Sequence, residues 1–133
     1  MTAAALALPW TDALKVNVDF IDHDHEEFVA LLNASIAASD ADFPAAFKAL
    51  AAHTVEHFAR EEELMDRTGF FATGCHKGEH ARVLNEVRRF LGHVETGNLA
   101  FARAYVAEQM PQWFILHRNT MDAATAAFAL QNA

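Results

Sequence analysis

The sequence predicts an all-α protein: an antiparallel up-down-up-down four-helix bundle with an N-terminal arm. Four segments carry apolar residues at the helical period, and no segment alternates with a period of two. Only five glycines and three prolines interrupt the chain. Four helices of about 20 residues, each about 30 Å long, fit a bundle with short connections. We expect the arm over residues 1–18 and a single bundle domain over residues 19–133.

The helix boundaries follow from the breaks in the apolar pattern. Asp42 is the expected N-cap of the second helix, and Pro44 follows in its first turn, where a missing backbone N–H is tolerated. Gly69 and Gly97 mark the ends of the second and third helices. Pro111 lies inside the fourth helix and predicts a kink or a division there. The four helices are predicted over residues 19–38, 43–67, 72–94 and 98–129.

The composition limits the class of protein and its partners. Hydrophobic residues make up 53% of the chain and charged residues 21%, as in a globular domain. The formal net charge of −8 argues against binding to nucleic acid or to an acidic membrane surface. The single cysteine, Cys75, excludes an internal disulfide and fits a reducing compartment. No apolar stretch reaches the roughly 18 residues of a membrane span, and residues 1–10 lack the basic start of a signal peptide. We therefore expect a cytoplasmic protein.

Histidines and carboxylates recur on the apolar faces of all four predicted helices. His25 lies in phase with Ile21 and Phe28, for example, where a hydrophobic residue is expected. A single histidine in such a place is usually a hydrogen-bonded core residue. Burying the whole set without partners would exceed the total stability of a domain, typically about 5–15 kcal/mol, so we predict a metal centre. The seven candidate ligands are His25, His57, Glu61, His76, His80, His117 and Asp122.

The composition of this ligand set indicates which metal it binds. Five imidazoles and two carboxylates, with no thiolate in phase, exceed the ligands of one four-coordinate zinc. Two metals bridged by the carboxylates would use all seven, and the mixed donors suit iron. The Glu-x-x-His pairs of ferritin-like di-iron proteins and the His-Glu-x-x-His motif of zinc proteases are both absent from the sequence.

Four motifs together resemble the hemerythrin family, in particular its single-domain bacterial members. They are IDHDH (21–25), HFAREEELM (57–65), HKGEH (76–80) and WFILHRNTMD (113–122). The resemblance runs from Trp10 to about Asp122 and matches all seven positions in type, order and spacing. It implies reversible O2 binding at an oxo- or hydroxo-bridged pair of non-haem iron ions. It also implies that one iron takes His76, His80 and His117, that the other takes His25 and His57, and that Glu61 and Asp122 bridge them.

An apolar wall beside the irons would keep water from displacing bound O2. We expect Phe58, Met65, Trp113 and Phe114 to form it, although ordinary core packing accounts for the same residues. The family commonly has Leu after the tryptophan and Ile after the fourth-helix histidine, where this chain has Phe114 and Arg118. We expect Phe114 to narrow the O2 route, and Arg118 to admit water or pair with an acid at the rim.

Several histidines, a glutamate and the cysteine close to the proposed ligands in sequence are not expected to bind metal. We expect His53 to lie beside the ligands or face solvent, and His23 to face away from the core. Glu62 is out of phase with Glu61 and is expected in solvent, while Cys75 is expected to be packed or half-exposed.

The resemblance favours an O2 carrier or store over an enzyme. We expect a monomer, although the sequence does not tell whether dimers form. Two alternatives remain open at this point: an O2 or redox sensor that acts on a partner, and a di-iron peroxidase or nitric-oxide scavenger that uses the same irons. Turnover of peroxide or nitric oxide would distinguish an enzyme from a carrier. The sequence does not identify an O2-consuming protein to which O2 would be delivered.

Overall fold

The computed structural model describes residues 8–132, and this part of the chain contains four long helices and no strand. The all-α prediction is therefore confirmed. The predicted boundaries lie within two residues of those observed. The long helices are α1 (Asp19–Ala37), α2 (Phe43–Thr68), α3 (Thr73–Glu95) and α4 (residues 100–131).

Short connections join the helices, so that consecutive helices run in opposite directions. α1 packs on α2, α2 packs on α3, and α4 contacts the other three. Pro44 lies in the first turn of α2 as predicted, but the Asp42 side chain makes no capping hydrogen bond to any described residue. A backbone hydrogen bond satisfies the start of the helix instead: the N–H of Phe43 donates to the carbonyl oxygen of Ser39 at 2.8 Å. Gly69 ends α2 in the left-handed conformation, with φ of 70°.

Two π-helical segments interrupt the α-helical hydrogen bonding of the fourth helix. Pro111 lies at the start of an α-helical segment that directly follows a π-helical one, so the predicted division coincides with a change of register. The backbone nevertheless stays helical through this point. The five successive segments of α4 are Ala100–Ala104 (α), Tyr105–Gln109 (π), Met110–His117 (α), Arg118–Asp122 (π) and Ala123–Gln131 (α).

The part of the predicted arm that the structure describes, residues 8–18, lies against the bundle. Leu8 exchanges two hydrogen bonds of 2.8 Å with the Asn33 side chain, and Trp10 packs on the apolar core. Arg118 donates to the carbonyl oxygens of Leu14, at 2.8 Å, and Lys15. Arg118 thus holds this segment. Among the described residues it makes no ion pair with an acid, although the sequence suggested such a pair as one possibility. Residues 1–7 of the predicted arm lie outside the described residues.

The apolar core consists of two clusters, one toward each end of the bundle. The larger cluster includes Phe28, Phe58 and Phe114, and the smaller includes Ile21 and Leu64. On each helix the polar residues predicted to bind metal fall between members of these clusters or at their edges. The core thus encloses a polar layer. None of the described helices is long and apolar enough to cross a membrane.

Candidate metal centre

All seven candidate ligands converge in one buried cluster, and none is more than 5% exposed. Each of the four helices contributes to it, as the apolar phase of the sequence predicted. Their side-chain atoms fall into two overlapping groups, each with atoms within 4.8 Å of one another. The first group contains Glu61, His76, His80, His117 and Asp122, and the second contains His25, His57, Glu61 and Asp122.

Glu61 and Asp122 belong to both groups. In each of these two carboxylates, one oxygen faces the first group of histidines and the other oxygen faces the second. Glu61 Oε1 lies 3.2 Å from His80 Nε2, while its Oε2 lies 2.9 Å from His57 Nε2. Asp122 Oδ1 lies 3.2 Å from His117 Nε2, while its Oδ2 lies 2.9 Å from His25 Nε2. Two carboxylates that each present one oxygen to each group have the arrangement of bridging ligands.

The donor chemistry of the cluster fits two cations. Six buried side-chain atoms make no hydrogen bond to any other described residue: both ring nitrogens of His25, both oxygens of Glu61, His80 Nε2 and Asp122 Oδ1. Most of these atoms carry lone pairs and face one another. A metal ion would bind several of these lone pairs at once and so compensate for their burial. Nε2 of His76 also lies 3.1 Å from Nε2 of His117.

Hydrogen bonds outside the cluster orient three of the imidazoles. Nδ1 of His57 donates to Asp24 at 3.0 Å, Nδ1 of His80 donates to Glu62 at 3.0 Å, and Nδ1 of His76 bonds the Thr125 hydroxyl at 2.8 Å. With the proton on Nδ1, the lone pair of a neutral ring is on Nε2, which points into the cluster. These outer partners therefore select the tautomer that a metal requires.

Sequence reasoning missed two of these three partners and misassigned the third. Glu62 was expected in solvent, but its side chain is only 32% exposed and accepts from His80 on the neighbouring helix. Asp24 and Thr125 were not singled out. The position of Asp24 beside His25 was the available signal for it, because a carboxylate next to a ligand is well placed to bond another ligand across a helix interface.

Electrostatic interactions keep the carboxylates ionised. Burial raises the pKa of Glu61, but the positive charge of His57, together with the imidazoles of the surrounding histidines, outweighs this effect and holds the pKa well below its usual value. Burial lowers the pKa of His57, but Glu61 and Asp24 together raise it to about 10. A buried pair of ionised carboxylates stabilises positive charge, whether a proton or a metal cation carries it.

A π-helical segment brings Asp122 to the centre. Asp122 follows His117 by five residues, which in a regular α-helix places it about 140° around the axis. Residues 118–122 form a π-helix, with hydrogen bonds to the fifth residue, so residues five apart share a face. This explains how the two side chains come within 3.2 Å.

A small cavity adjoins the two-histidine side of the cluster. Its volume is about 10 Å³, and His25, His57, Phe58, Trp113 and Phe114 are among the residues that line it. Three of the four residues expected to form an apolar wall beside the centre, Phe58, Trp113 and Phe114, line this cavity. Trp113 is fixed by a hydrogen bond of 2.8 Å from its Nε1 to Glu79, and its ring stacks on His117.

The fourth expected wall residue, Met65, is not among the described residues that line this cavity. Its sulfur lies 3.8 Å from the hydroxyl of Thr125, which itself bonds His76. Met65 follows Glu61 by one helical turn, so it packs toward the three-histidine side of the cluster.

Sequence comparisons identify a family profile and known relatives that match most of this chain. A family profile described as the hemerythrin HHE cation binding domain matches residues 16–125. A bacteriohemerythrin of Ralstonia nicotianae is 38% identical over 115 residues, which cover 86% of this chain and 83% of that protein. A myohemerythrin of Riftia pachyptila is 28% identical over 113 residues, which cover 85% and 86%.

Solved structures support the fold. A crystal structure of a hemerythrin with a leucine-to-tyrosine substitution superposes with a TM-score of 0.80 at 20% identity, and covers 92% of this chain and 96% of that one. A leucine-to-phenylalanine variant matches with the same TM-score at 21% identity. At this identity the likeness shows the arrangement of the helices.

Proposed function

This chain belongs to the hemerythrin family, and from that premise we propose that it binds O2 reversibly at a non-haem di-iron centre, as an oxygen carrier or store. The observation that carries the proposal is the pair of buried carboxylates that present opposite oxygens to two groups of histidines. This arrangement is complementary to two bridged cations, and the match to the family covers most of the chain.

We assign the ligands as the two groups suggest. His76, His80 and His117 would hold one iron, His25 and His57 the other, and Glu61 and Asp122 would bridge them. The two-histidine position would then have fewer protein ligands, and the two histidines that would hold this iron line the small cavity. Bound as a ferrous pair, the two irons supply the two electrons that O2 takes up on binding and returns on release.

The protein residues around the centre hold it in place and keep it dry. Asp24, Glu62 and Thr125 orient three imidazoles, which reduces the rearrangement needed when O2 binds or leaves. Phe58, Trp113 and Phe114 line the cavity with apolar surface. The cavity volume of about 10 Å³ is at the lower limit for one water molecule, so these apolar rings leave little room for additional water beside the centre.

A visible absorption spectrum of the anaerobically reduced protein tests this proposal. We expect a colourless protein that gains a charge-transfer band in air and loses it on degassing. Passage to an oxidised spectrum that degassing does not reverse would instead indicate a redox enzyme or a sensor. Turnover of peroxide or nitric oxide, measured on the same sample, separates those two. Protein without iron would overturn the assignment of the centre.

We also propose that the carrier is a cytoplasmic monomer. The exposed thiol of Cys75, the only cysteine, supports a reducing compartment. All seven proposed ligands come from one chain, so a complete centre requires no partner subunit. Sedimentation of the iron-loaded protein and fractionation of the producing cell test these two statements.

A further inference from the structure

Outside the buried cluster, two histidines meet at one carboxylate on the surface between α1 and α2. His53 Nδ1 lies 3.1 Å from Glu27 Oε1, and His23 Nε2 lies 3.5 Å from Glu27 Oε2. The His53 side chain is 5% exposed, whereas those of Glu27 and His23 are 51% and 73% exposed. Of these three side chains, which could all bind a metal ion, His53 is therefore buried, while Glu27 and His23 are accessible to solvent.

The polar contacts of His53 place its two ring nitrogens against two different acceptors. Nε2 of His53 lies 2.9 Å from the carbonyl oxygen of Asp24, which only accepts, so the proton of a neutral ring is on Nε2. Nδ1 then carries a lone pair and faces the carboxylate of Glu27, which also only accepts. A positive charge is needed between these two acceptors, and either a proton or a metal ion supplies it.

Arg60 makes no ion pair with Glu27 that would place a positive charge between these two atoms. Arg60 interacts with Asp24 through two hydrogen bonds of 2.7 and 2.9 Å. His23, by contrast, lies one helical turn before Glu27 on α1 and adds a third donor to the same carboxylate. Because its side chain is largely in solvent, it turns without disturbing the core. Two imidazoles and a carboxylate are donors that Zn²⁺, Cu²⁺ and Fe²⁺ prefer.

We propose that His23, Glu27 and His53 form a second metal site, which binds a divalent transition-metal ion at the surface. This site is separate from the proposed iron pair, because His23 and Glu27 each lie two residues from His25 and thus on the opposite side of α1. Its inner edge is near the pair, since the rings of His53 and His57 are parallel with centroids 6.2 Å apart.

Zinc titration of the iron-loaded protein tests the second site. We expect isothermal titration calorimetry to detect one equivalent of Zn²⁺ beyond the iron. We expect at least a tenfold weaker affinity in His23→Ala and in Glu27→Gln, two exposed positions where substitution leaves the fold intact. His93→Ala, on α3, is the matched control and should bind zinc as the unmodified protein does. In zinc-soaked crystals, anomalous scattering should place the ion between His53 and Glu27.

Two outcomes would overturn the proposal: no additional equivalent of zinc, or an equivalent whose affinity is unchanged in His23→Ala and Glu27→Gln. The contact of His53 with Glu27 would then be an ion pair only. Iron content and the O2 spectrum, measured on the same samples, report on the buried centre independently. If the protein held no iron, the loss of one zinc equivalent in the two variants would still decide the question of the surface site.

Discussion

Asp24 on α1 accepts a hydrogen bond from Nδ1 of His57 on α2 at 3.0 Å. Arg60 holds the same carboxylate through two further hydrogen bonds of 2.7 and 2.9 Å. Burial raises the pKa of Asp24, but the bonds from His57 and Arg60 outweigh it and hold the pKa below its usual value. The carboxylate is therefore ionised at neutral pH and fixes the orientation of His57.

Asp24→Asn should weaken iron binding at the two-histidine position by about 10–100-fold, the usual effect of removing such an outer partner. The amide keeps the size of the side chain but removes the charge that favours His57 as a ligand. Competition with a chelator measures the loss. Glu63→Gln is the control, because Glu63 is exposed on α2, the helix of His57, and pairs only with Arg67 among the described residues. Equal affinity in Asp24→Asn and the unmodified protein would contradict the role given to Asp24.

His117→Ala should leave about one iron per chain, because it removes one of three histidines from the first group. The ring of His117 also stacks on Trp113, with centroids 4.7 Å apart, so the wall of the cavity loosens as well. Iron analysis and the visible spectrum measure the effect. His93→Ala is again the control. A variant that keeps two irons and binds O2 normally would show that the ligands are assigned wrongly.

Removing the iron should destabilise the bundle. Without metal, the buried carboxylates and imidazoles lose partners whose binding energy contributes to folding. We expect a lower thermal midpoint and faster amide hydrogen exchange in the iron-free protein. Exchange should rise most for the amides around the seven ligands. Identical protection with and without iron would mean that the metals do not bridge the helices.

Phe114→Leu should enlarge the cavity from its present volume of about 10 Å³ and speed the irreversible oxidation of the iron pair. Phe114 is 3% exposed and its ring lies edge-on to His25, with centroids 5.1 Å apart. Replacement by Ala would cost about 3–5 kcal/mol of stability, so Leu, which removes less volume, is the better variant.

The decay of the O2-bound spectrum in air measures the effect of Phe114→Leu. Phe71→Leu is the control, because Phe71 is 84% exposed and lies outside the cavity. An unchanged rate of decay in Phe114→Leu would remove Phe114 from the barrier against water.

Alkaline pH should destabilise the protein through Tyr105. Burial raises the pKa of this phenol, and the charge of Glu86, 3.2 Å away, raises it further. The unfolded chain ionises at about pH 10, so stability is fully present below that pH. It falls by about 1.4 kcal/mol per pH unit as the pH rises toward the higher pKa of the folded protein.

Tyr105 is the only tyrosine, so the ultraviolet absorbance of tyrosinate reports on it alone. We expect ionisation to coincide with unfolding in this alkaline range, and Tyr105→Phe to lack this loss of stability. Ionisation near pH 10 in the folded protein would contradict the prediction.

Six of the seven positions of the candidate metal cluster, all except Asp122, were predictable because each lies in phase with apolar neighbours on its own helix. Helical phase states whether a residue faces the core, and for His57 and Glu61 that information is sufficient. It does not state which residue of a neighbouring helix lies opposite. The contacts of Asp24 with His57 and of Glu62 with His80 are of this second kind and emerged only from the packing of the helices.

The position of Asp122 shows a different limit of sequence reasoning. A regular helix places it at the edge of the apolar face, and the π-helical hydrogen bonds that correct this have no signature in residue type. Arg118 is similar, since its partners are backbone carbonyl groups about a hundred residues earlier in the chain. Neither contact has a periodic pattern that a sequence reveals.

The distribution of ligands over all four helices has a kinetic consequence for metal retention. Since each helix holds at least one ligand, an ion escapes only when part of the bundle opens, and the rate of escape is the rate of that opening. α4 is the helix to open first, because two π-helical segments already interrupt its regular hydrogen bonding. We therefore expect the rate of metal loss from this protein to equal the rate at which α4 opens.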